Sequence, residues 1–196
     1  HVGSLSREDA RRICVVGPTA RASGVAIDTR KDHPYLAYPD LDFKIAVQEG
    51  CDIWARTLVR AEEIFTAISL IQQMVAKMPE GEIMAEYGPI PAWREGIGAS
   101  EAPRGECAHY VITGPDNRPY RWRVRASTYP QLQSIPRMLD KMTVADFPII
   151  VGSIDPCFSC TERVIAVDAR SKKIRTYTHQ ELLAMSRRNF GQGRRS

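Results

Sequence analysis

Apolar residues recur at intervals of three or four between Cys51 and Lys77, a stretch that is otherwise rich in charged and polar side chains. This spacing places the apolar positions on one face of an α-helix. It predicts a long amphipathic helix that ends where Pro79 and Gly81 disfavour further helix. We expect its apolar stripe to lie in the core; the stripe consists of Trp54, Leu58, Ala61, Phe65, Ile68, Ile71 and Val75.

Several stretches predict β-strands. Residues 110–113 and 120–125 are rich in apolar and aromatic side chains and flank a Gly-Pro-Asp-Asn turn, which is the pattern of a β-hairpin. Residues 164–169 and 173–178 have the same character and predict a second hairpin. The apolar run FPIIVGSID, residues 147–155, predicts one more strand.

The remaining signals are a loop and two helix starts. Residues 82–106 carry scattered proline and glycine and predict a long loop. Ser6 with Asp9 is the spacing of a helix N-cap, and Thr178 with Glu181 is that of a capping box. Together these elements predict an α+β fold with a helical core, one long amphipathic helix and peripheral β-hairpins.

Composition limits the class of protein. The chain has 196 residues, 43% of them apolar and 26% charged, which is ordinary for one globular domain. No apolar run approaches the roughly 18–20 residues of a membrane-spanning helix, so we expect no direct membrane span. The sequence starts at His1 without a signal segment, and we expect it to be the C-terminal part of a longer protein. Five irregularly spaced cysteines favour the reducing cytoplasm over a disulfide framework.

The positive charge is concentrated at the C-terminal end. Residues 164–196 hold eight basic and two acidic residues, a net +6, whereas the whole chain has a net charge of +4. The remaining residues, 1–163, therefore carry −2. Because the basic residues lack interleaved aromatic side chains, they indicate a solvated tail and no nucleic-acid partner. We expect residues 1–163 to form the main domain and residues 164–196 to be a separate basic extension.

The segment SIDPCFSCTERV places Cys157 and Cys160 directly behind Asp155 and Pro156. A lone C-x-x-C pair has several interpretations. A thioredoxin-like pair needs a strand-to-helix turn, and a structural zinc site needs two further ligands. Two buried thiols can simply pack as small hydrophobes. Half of a soft-metal site is the fourth interpretation, since thiolates suit nickel and iron. The spacing alone leaves all four open.

Four longer segments, the last of which contains this pair, occur in the order in which a known family has them. They resemble the large catalytic subunit of nickel–iron hydrogenases, most of all the membrane-associated, energy-converting group 4 enzymes of the formate hydrogenlyase type. The same segments without the cysteines resemble the 49 kDa subunit of respiratory complex I, so the cysteine pair favours the hydrogenase. The segments are GPTARASGVAIDTRKDHPYLAY, EAPRGECAHYV, NRPYRWRVRASTYPQL and DFPIIVGSIDPCFSCTERV.

The resemblance implies specific roles. It makes Cys157 a terminal nickel ligand and Cys160 a ligand that bridges nickel to an iron carrying cyanide and carbon monoxide. The other two ligands of the nickel–iron centre would lie in the missing N-terminal part. The resemblance also makes Arg104 and Asp155 the pair above the metals, with Asp155 holding the arginine by a bidentate contact.

The resemblance further implies partners and processing. An iron–sulfur small subunit would feed electrons, with iron–sulfur clusters in partner subunits only, and membrane-arm subunits would hold the protein on the cytoplasmic side of the inner membrane. Nickel-insertion proteins and a maturation endopeptidase would act on the chain. The endopeptidase would cut between Arg163 and Val164 and remove the extension. A complex I-like NADH:quinone oxidoreductase subunit and a non-catalytic scaffold subunit are the alternatives.

Overall fold

The computed structural model describes residues 1–161, 166–167, 174–175 and 177–192. The chain forms two compact units, His1–Cys160 and Thr161–Ser196. In the first unit the helices are α1 Arg7–Arg12, α2 Gly17–Arg21, α3 Thr29–Asp32, α4 Ile53–Ala76, α5 Thr128–Met138 and α6 Phe147–Ser153. Its strands are β1 Glu95–Ala102, β2 Gly105–Thr113 and β3 Pro119–Arg125. The second unit holds β4 Ala166–Val167, β5 Ile174–Arg175 and α7 His179–Gln192. This mixture of helices and antiparallel strands is α+β, as predicted.

The main core lies among α1, α2, α5 and α6. The predicted N-cap is confirmed, because the Ser6 hydroxyl accepts a hydrogen bond from the Asp9 backbone N–H at 3.0 Å. The helices are short and are therefore stable through packing more than through their own propensity. The buried apolar side chains that they share are Leu5, Ala10, Val15, Ala20, Val25, Met138, Ile150 and Ile154.

The long helix α4 forms as predicted, but its buried face is different from the predicted one. Asp52 caps it by accepting a hydrogen bond from the Ala55 backbone N–H at 2.9 Å. The apolar stripe is largely exposed, with Phe65 73% and Ile71 60% accessible, so the prediction of a buried stripe was wrong. The face turned inward is partly polar instead; its buried residues are Ala55, Arg56, Val59 and Leu70.

The three-stranded sheet is an antiparallel meander in the order β1-β2-β3. The hairpin predicted from residues 110–125 is confirmed, since β2 pairs with β3. The loop predicted over residues 82–106 was wrong for its second half, which forms β1 and begins β2. Gly96 and Gly98 lie within β1, so these glycines were not loop signals. Only Pro103 and Arg104 connect β1 to β2.

The predicted strand at residues 147–155 was also wrong, because this segment forms α6 and the turn after it. A short apolar run cannot be assigned to strand or helix from periodicity alone. Thr143 and Asp146 form a capping box just before α6, and Pro148 occupies a position in the first turn where its missing N–H costs nothing. The cysteine pair therefore follows a helix.

In the second unit β4 pairs with β5 in an antiparallel manner, which confirms the predicted hairpin for those residues. The predicted capping box is confirmed by hydrogen bonds of 2.7 Å from the Thr178 N–H to Glu181 and 3.3 Å from the Glu181 N–H to Thr178. Among the helices that the structure describes, none has the length and apolar character needed to cross a membrane.

Candidate active site

Arg104 lies in a turn that packs closely against the start of α2, with a glycine on each side of the contact. Gly17 has φ +66°, and a Cβ added to it would lie 2.3 Å from the Arg104 carbonyl oxygen. Gly105 has φ +113°, and a Cβ there would lie 2.5 Å from the Gly17 nitrogen. Such approaches and positive φ values favour glycine. The dipeptides Gly17-Pro18 and Arg104-Gly105 are therefore in direct contact.

A buried glutamine fastens this turn to α5. Gln131 is fully buried, and its side-chain Nε2 donates to the carbonyl oxygens of Arg104 at 2.5 Å and Val16 at 3.3 Å. These bonds satisfy two backbone oxygens at the junction of α2 and the turn. Sequence reasoning missed Gln131, because no local pattern relates it to residues 16 and 104.

The structure brings Arg104 and Asp155 into contact. Arg104 Nη2 lies 3.1 Å from each of the two Asp155 carboxylate oxygens. Its Nε donates to the backbone carbonyl oxygen of Asp155. The guanidinium thus binds one carboxylate and one carbonyl of the same residue, which differs from the expected two-nitrogen fork. Asp155 has φ 52°, a left-handed conformation that aspartate tolerates better than most residues.

The cysteine pair follows within two residues of Asp155. Cys157 is half-buried and Cys160 is exposed, and a disulfide joins them. The Cys157 N–H donates to the hydroxyl of buried Thr128 at 3.2 Å, and the Cys160 N–H donates to the Cys157 carbonyl at 3.1 Å. The start of α5 and a tight turn therefore fix the backbone that carries the cysteine pair.

The pair fits two positions of a soft-metal site. Metals bind thiolates, so the disulfide must be reduced before either sulfur can act as a ligand. After reduction, Cys157 and Cys160 would present two thiolates from one turn to the same metal. Among residues 1–161 and the later described segments, no group of three or more His, Cys, Asp or Glu side chains converges. Arg163 and Val164, the predicted cleavage residues, lie outside the described residues.

A buried charge cluster is centred on Arg21. Arg21, 1% exposed, contacts Glu63 on α4 at 2.5 Å and Glu101 on β1 at 2.9 Å. Its Nη1 also lies 3.6 Å from Asp28 at the start of α3. Burial raises the pKa of Glu63, and the neighbouring Arg21 only partly offsets this. Sequence reasoning missed this cluster, which joins four separate elements.

Asp28 behaves differently within the same cluster. Burial alone would raise its pKa, but the hydrogen bonds and charge of Arg30, with the charge of Arg21, together lower it below the usual value. Arg30 contacts the Asp28 carboxylate through Nε at 2.8 Å and Nη2 at 2.6 Å. This two-nitrogen contact keeps Asp28 ionised.

Comparison with known proteins identifies the family. The model for the 49 kDa subunit of respiratory-chain NADH dehydrogenase matches residues 1–93 and 86–163. The chain belongs to this family. The match covers both α4 and the segment that holds Arg104, Asp155 and the cysteine pair.

Individual relatives include hydrogenase subunits. Formate hydrogenlyase subunit 5 of Escherichia coli is 42% identical over 92% of this chain and 32% of its own length. The carbon monoxide-induced hydrogenase of Rhodospirillum rubrum is 44% identical over 83% of this chain and 45% of its own. An NADH-quinone oxidoreductase subunit of Chloroherpeton thalassium is 35% identical over 79% and 41%. These matches confirm the resemblance seen in the sequence. The chain spans about a third to a half of the length of these relatives.

Proposed function

We propose that this chain is the C-terminal part of the large subunit of a membrane-associated nickel–iron hydrogenase, an oxidoreductase that interconverts protons and hydrogen. The observation that carries the proposal is the cysteine pair, Cys157 and Cys160, next to the ion pair of Arg104 and Asp155. The two hydrogenase relatives at 42% and 44% identity support it.

Cys157 and Cys160 would hold two positions of the nickel–iron centre, and the other two ligands would come from a part of the longer protein outside this sequence. When bound, the centre, with cyanide and carbon monoxide on its iron, supplies the site for heterolytic splitting of hydrogen. The reduced thiolates of this chain would bind it, and the short turn between Cys157 and Cys160 would keep the two sulfurs close together.

Arg104 and Asp155 would have an electrostatic role beside this site. The guanidinium is held in one orientation by the carboxylate and the carbonyl of Asp155, so it carries a fixed positive charge at low reorganisation cost. Arginine stays protonated in proteins, so we assign it a positioning and electrostatic role and no proton acceptance. Asp155 would orient Arg104 and balance its charge.

The complex around the subunit is part of the proposal. We infer an iron–sulfur small subunit as electron donor, with iron–sulfur clusters in partner subunits only, and membrane-arm subunits that hold the protein at the cytoplasmic side of the inner membrane. Nickel-insertion proteins and an endopeptidase would complete maturation by cutting between Arg163 and Val164. The family's link to a respiratory-chain dehydrogenase supports a multisubunit assembly.

A second candidate is a subunit of a complex I-like NADH:quinone oxidoreductase. The family description and the relative at 35% identity favour it. Such a subunit would need no metal at Cys157 and Cys160, and neither would a non-catalytic scaffold. Metal content therefore separates both alternatives from the hydrogenase.

The experiment is metal analysis and infrared spectroscopy of the full-length protein in its complex. We expect nickel and iron together with infrared bands of bound cyanide and carbon monoxide. Cys157→Ser and Cys160→Ser should each abolish nickel binding and hydrogen evolution. Cys14→Ser is the matched control, because Cys14 is an exposed free thiol. A complex that evolves no hydrogen and contains no nickel would reject the proposal.

A further inference from the structure

Asp155 and members of the buried charge cluster line one pocket that is open to solvent. It has a volume of about 410 Å³, and its charged lining consists of Arg21, Arg30, Arg60, Glu63, Glu101 and Asp155. This volume is enough for several water molecules, each of which takes about 30 Å³ in the liquid. Water in such a cavity would link the carboxylates that line it.

Glu63 is placed differently from the other carboxylates of this cavity. Its Oε1 lies 2.5 Å from Arg21 Nη2, an ion-pair contact that does not meet the geometric criteria of a hydrogen bond. Within the described residues, Glu63 Oε1 and Arg21 Nε are buried polar atoms without a well-directed hydrogen-bond partner. Buried polar atoms of this kind usually bind ordered water. The Glu63 side chain is 21% exposed, so part of it reaches solvent.

We propose that Glu63 transfers protons between the Arg104–Asp155 pair and solvent, through water in this cavity. The inference rests on the proposed hydrogenase function and adds a residue to it. When hydrogen is split at the site, the released proton passes to cavity water and then to the Glu63 carboxylate, which becomes a carboxylic acid and releases the proton to solvent. Hydrogen evolution reverses the direction. Only a proton moves through Glu63. Asp155 stays paired with Arg104 throughout.

The neighbouring carboxylates are less suited to this role. Glu101 accepts hydrogen bonds on both oxygens, from Arg21 at 2.9 Å and from the Thr29 backbone N–H at 3.0 Å. Asp28 is clamped by Arg30 and has a lowered pKa. Directed donors therefore already occupy both of these carboxylates. The pKa of a proton carrier should instead lie near the working pH, so that its protonated and deprotonated forms are both populated.

The charged groups around Glu63 agree with this assignment. Burial favours the neutral acid of Glu63 most strongly and nearby Glu101 adds to this, while Arg21, Arg30 and Arg60 favour its anion. The net result is a raised pKa, in the direction of the neutral range where a carboxyl can both accept and release a proton. Arg60 has a lowered pKa, chiefly from burial, and donates to the Ser153 carbonyl at 3.2 Å. Its position is thus fixed by the backbone.

The simpler explanation is that Glu63 only neutralises Arg21. The two explanations differ for Glu63→Gln, because glutamine retains an oxygen for Arg21 but cannot accept a proton as a carboxylate does. A structural role predicts altered assembly or metal content. A proton-transfer role predicts normal metal content with slow turnover.

The test is Glu63→Gln, Glu63→Asp and the control Glu62→Gln in the intact hydrogenase complex. Glu62 is the exposed neighbour on α4, where it accepts a hydrogen bond from Gln48. We expect Glu63→Gln to keep nickel, iron and the infrared bands but to lose about 10²–10⁴-fold in hydrogen evolution, the usual range for a proton-transfer group. Its solvent deuterium isotope effect should rise. Glu63→Asp should recover part of the rate with a shifted pH optimum, and Glu62→Gln should match the wild type.

Each result decides the inference. An unchanged rate and isotope effect in Glu63→Gln would overturn it, and so would loss of metal in Glu63→Gln without recovery in Glu63→Asp. A folded Glu63→Asp that shows neither a slower rate nor a shifted pH profile would also overturn it. A wild-type complex without nickel would instead reject the proposed hydrogenase function, so the two failures are distinguishable.

Discussion

Gly17 and Gly105 lie back to back, so close that a Cβ on Gly105 would come within 2.5 Å of the Gly17 nitrogen. One glycine opens α2 and the other opens β2, and Arg104 stands immediately before the second. The contact therefore joins the helical core to the sheet at the residue that reaches Asp155. A close backbone approach of this kind is a position where only glycine fits.

Gly105→Ala should displace the Arg104 turn. The positive φ and the overlap with Gly17 should together lower the free energy of unfolding by about 2–4 kcal/mol. Urea denaturation of the purified protein measures this. Gly96→Ala on β1 is the matched control, since a Cβ there meets no atom within 4 Å. Equal stability of the two variants would contradict the close approach.

Arg104→Lys should impair activity without loss of metal. A lysine ammonium cannot contact the Asp155 carboxylate and its carbonyl in the fixed planar arrangement that the guanidinium makes. We expect a decrease of about 10²–10³-fold in hydrogen evolution, the usual cost of removing a positioned donor. Arg121→Lys, at an exposed position on β3, is the control. A rate within twofold of wild type for Arg104→Lys would show that the orientation of this charge is unimportant.

The sequence allowed prediction of those features that lie within contiguous segments. The hairpin of β2 and β3, the caps at Ser6 and Thr178, and the cysteine motif each depend on a few neighbouring residues. The partners Gln131 and Arg21 escaped prediction, because their contacts join residues far apart in the chain. Local pattern carries no information on which distant backbone oxygen a buried side chain will meet.

The apolar stripe of α4 shows a second limit. Periodicity predicted correctly that the helix is two-faced, yet the face packed inward is the one with Arg56 and Glu63. Buried hydrogen bonds, such as the one from Arg56 to the Gly3 carbonyl at 2.7 Å, fix that face. A hydrophobic pattern identifies an apolar face but not what covers it.

This reversal predicts a difference between two adjacent residues. Leu70 is 4% exposed and packs with Leu41 and Phe43, whereas Ile71 is 60% exposed. Leu70→Ala should therefore cost about 2–5 kcal/mol of stability. Ile71→Ala should stay within about 0.5 kcal/mol in the isolated chain. Thermal unfolding of this chain checks both. A loss of stability for Ile71→Ala as large as that for Leu70→Ala would show that the apolar stripe is buried after all.

Asp28 should make the protein sensitive to acid. Its pKa in the folded protein is lower than the ordinary value of 3.8, so the folded state binds fewer protons than the unfolded state near that pH. The stabilisation is fully present above pH 3.8 and is lost as the pH falls through the lower folded value. Asp28→Asn should cost about 3–5 kcal/mol at pH 7, because it leaves Arg30 and Arg21 with less compensation. In this variant the free energy of unfolding should also fall less steeply with decreasing pH in the acid range.

The control for this prediction is Asp42→Asn, an exposed aspartate for which the described residues show no ion pair. Its stability curve should follow that of the wild type, since the exposed Asp42 side chain has no ion pair among the described residues to lose. A curve for Asp28→Asn that parallels the wild type through the acid range would contradict the role of Asp28.

Cleavage between Arg163 and Val164 should be visible as a change of charge and mass. Residues 164–196 carry a net +6, so their removal makes the net charge of the subunit more negative by six and should shift its elution on ion exchange at pH 7. Intact mass of the purified, mature subunit should correspond to a C-terminus at Arg163. If processing follows nickel insertion, as proposed, cells depleted of nickel should accumulate the uncut form. An active, nickel-containing enzyme that retains residues 164–196 would reject the cleavage while leaving the ligand assignment of Cys157 and Cys160 intact.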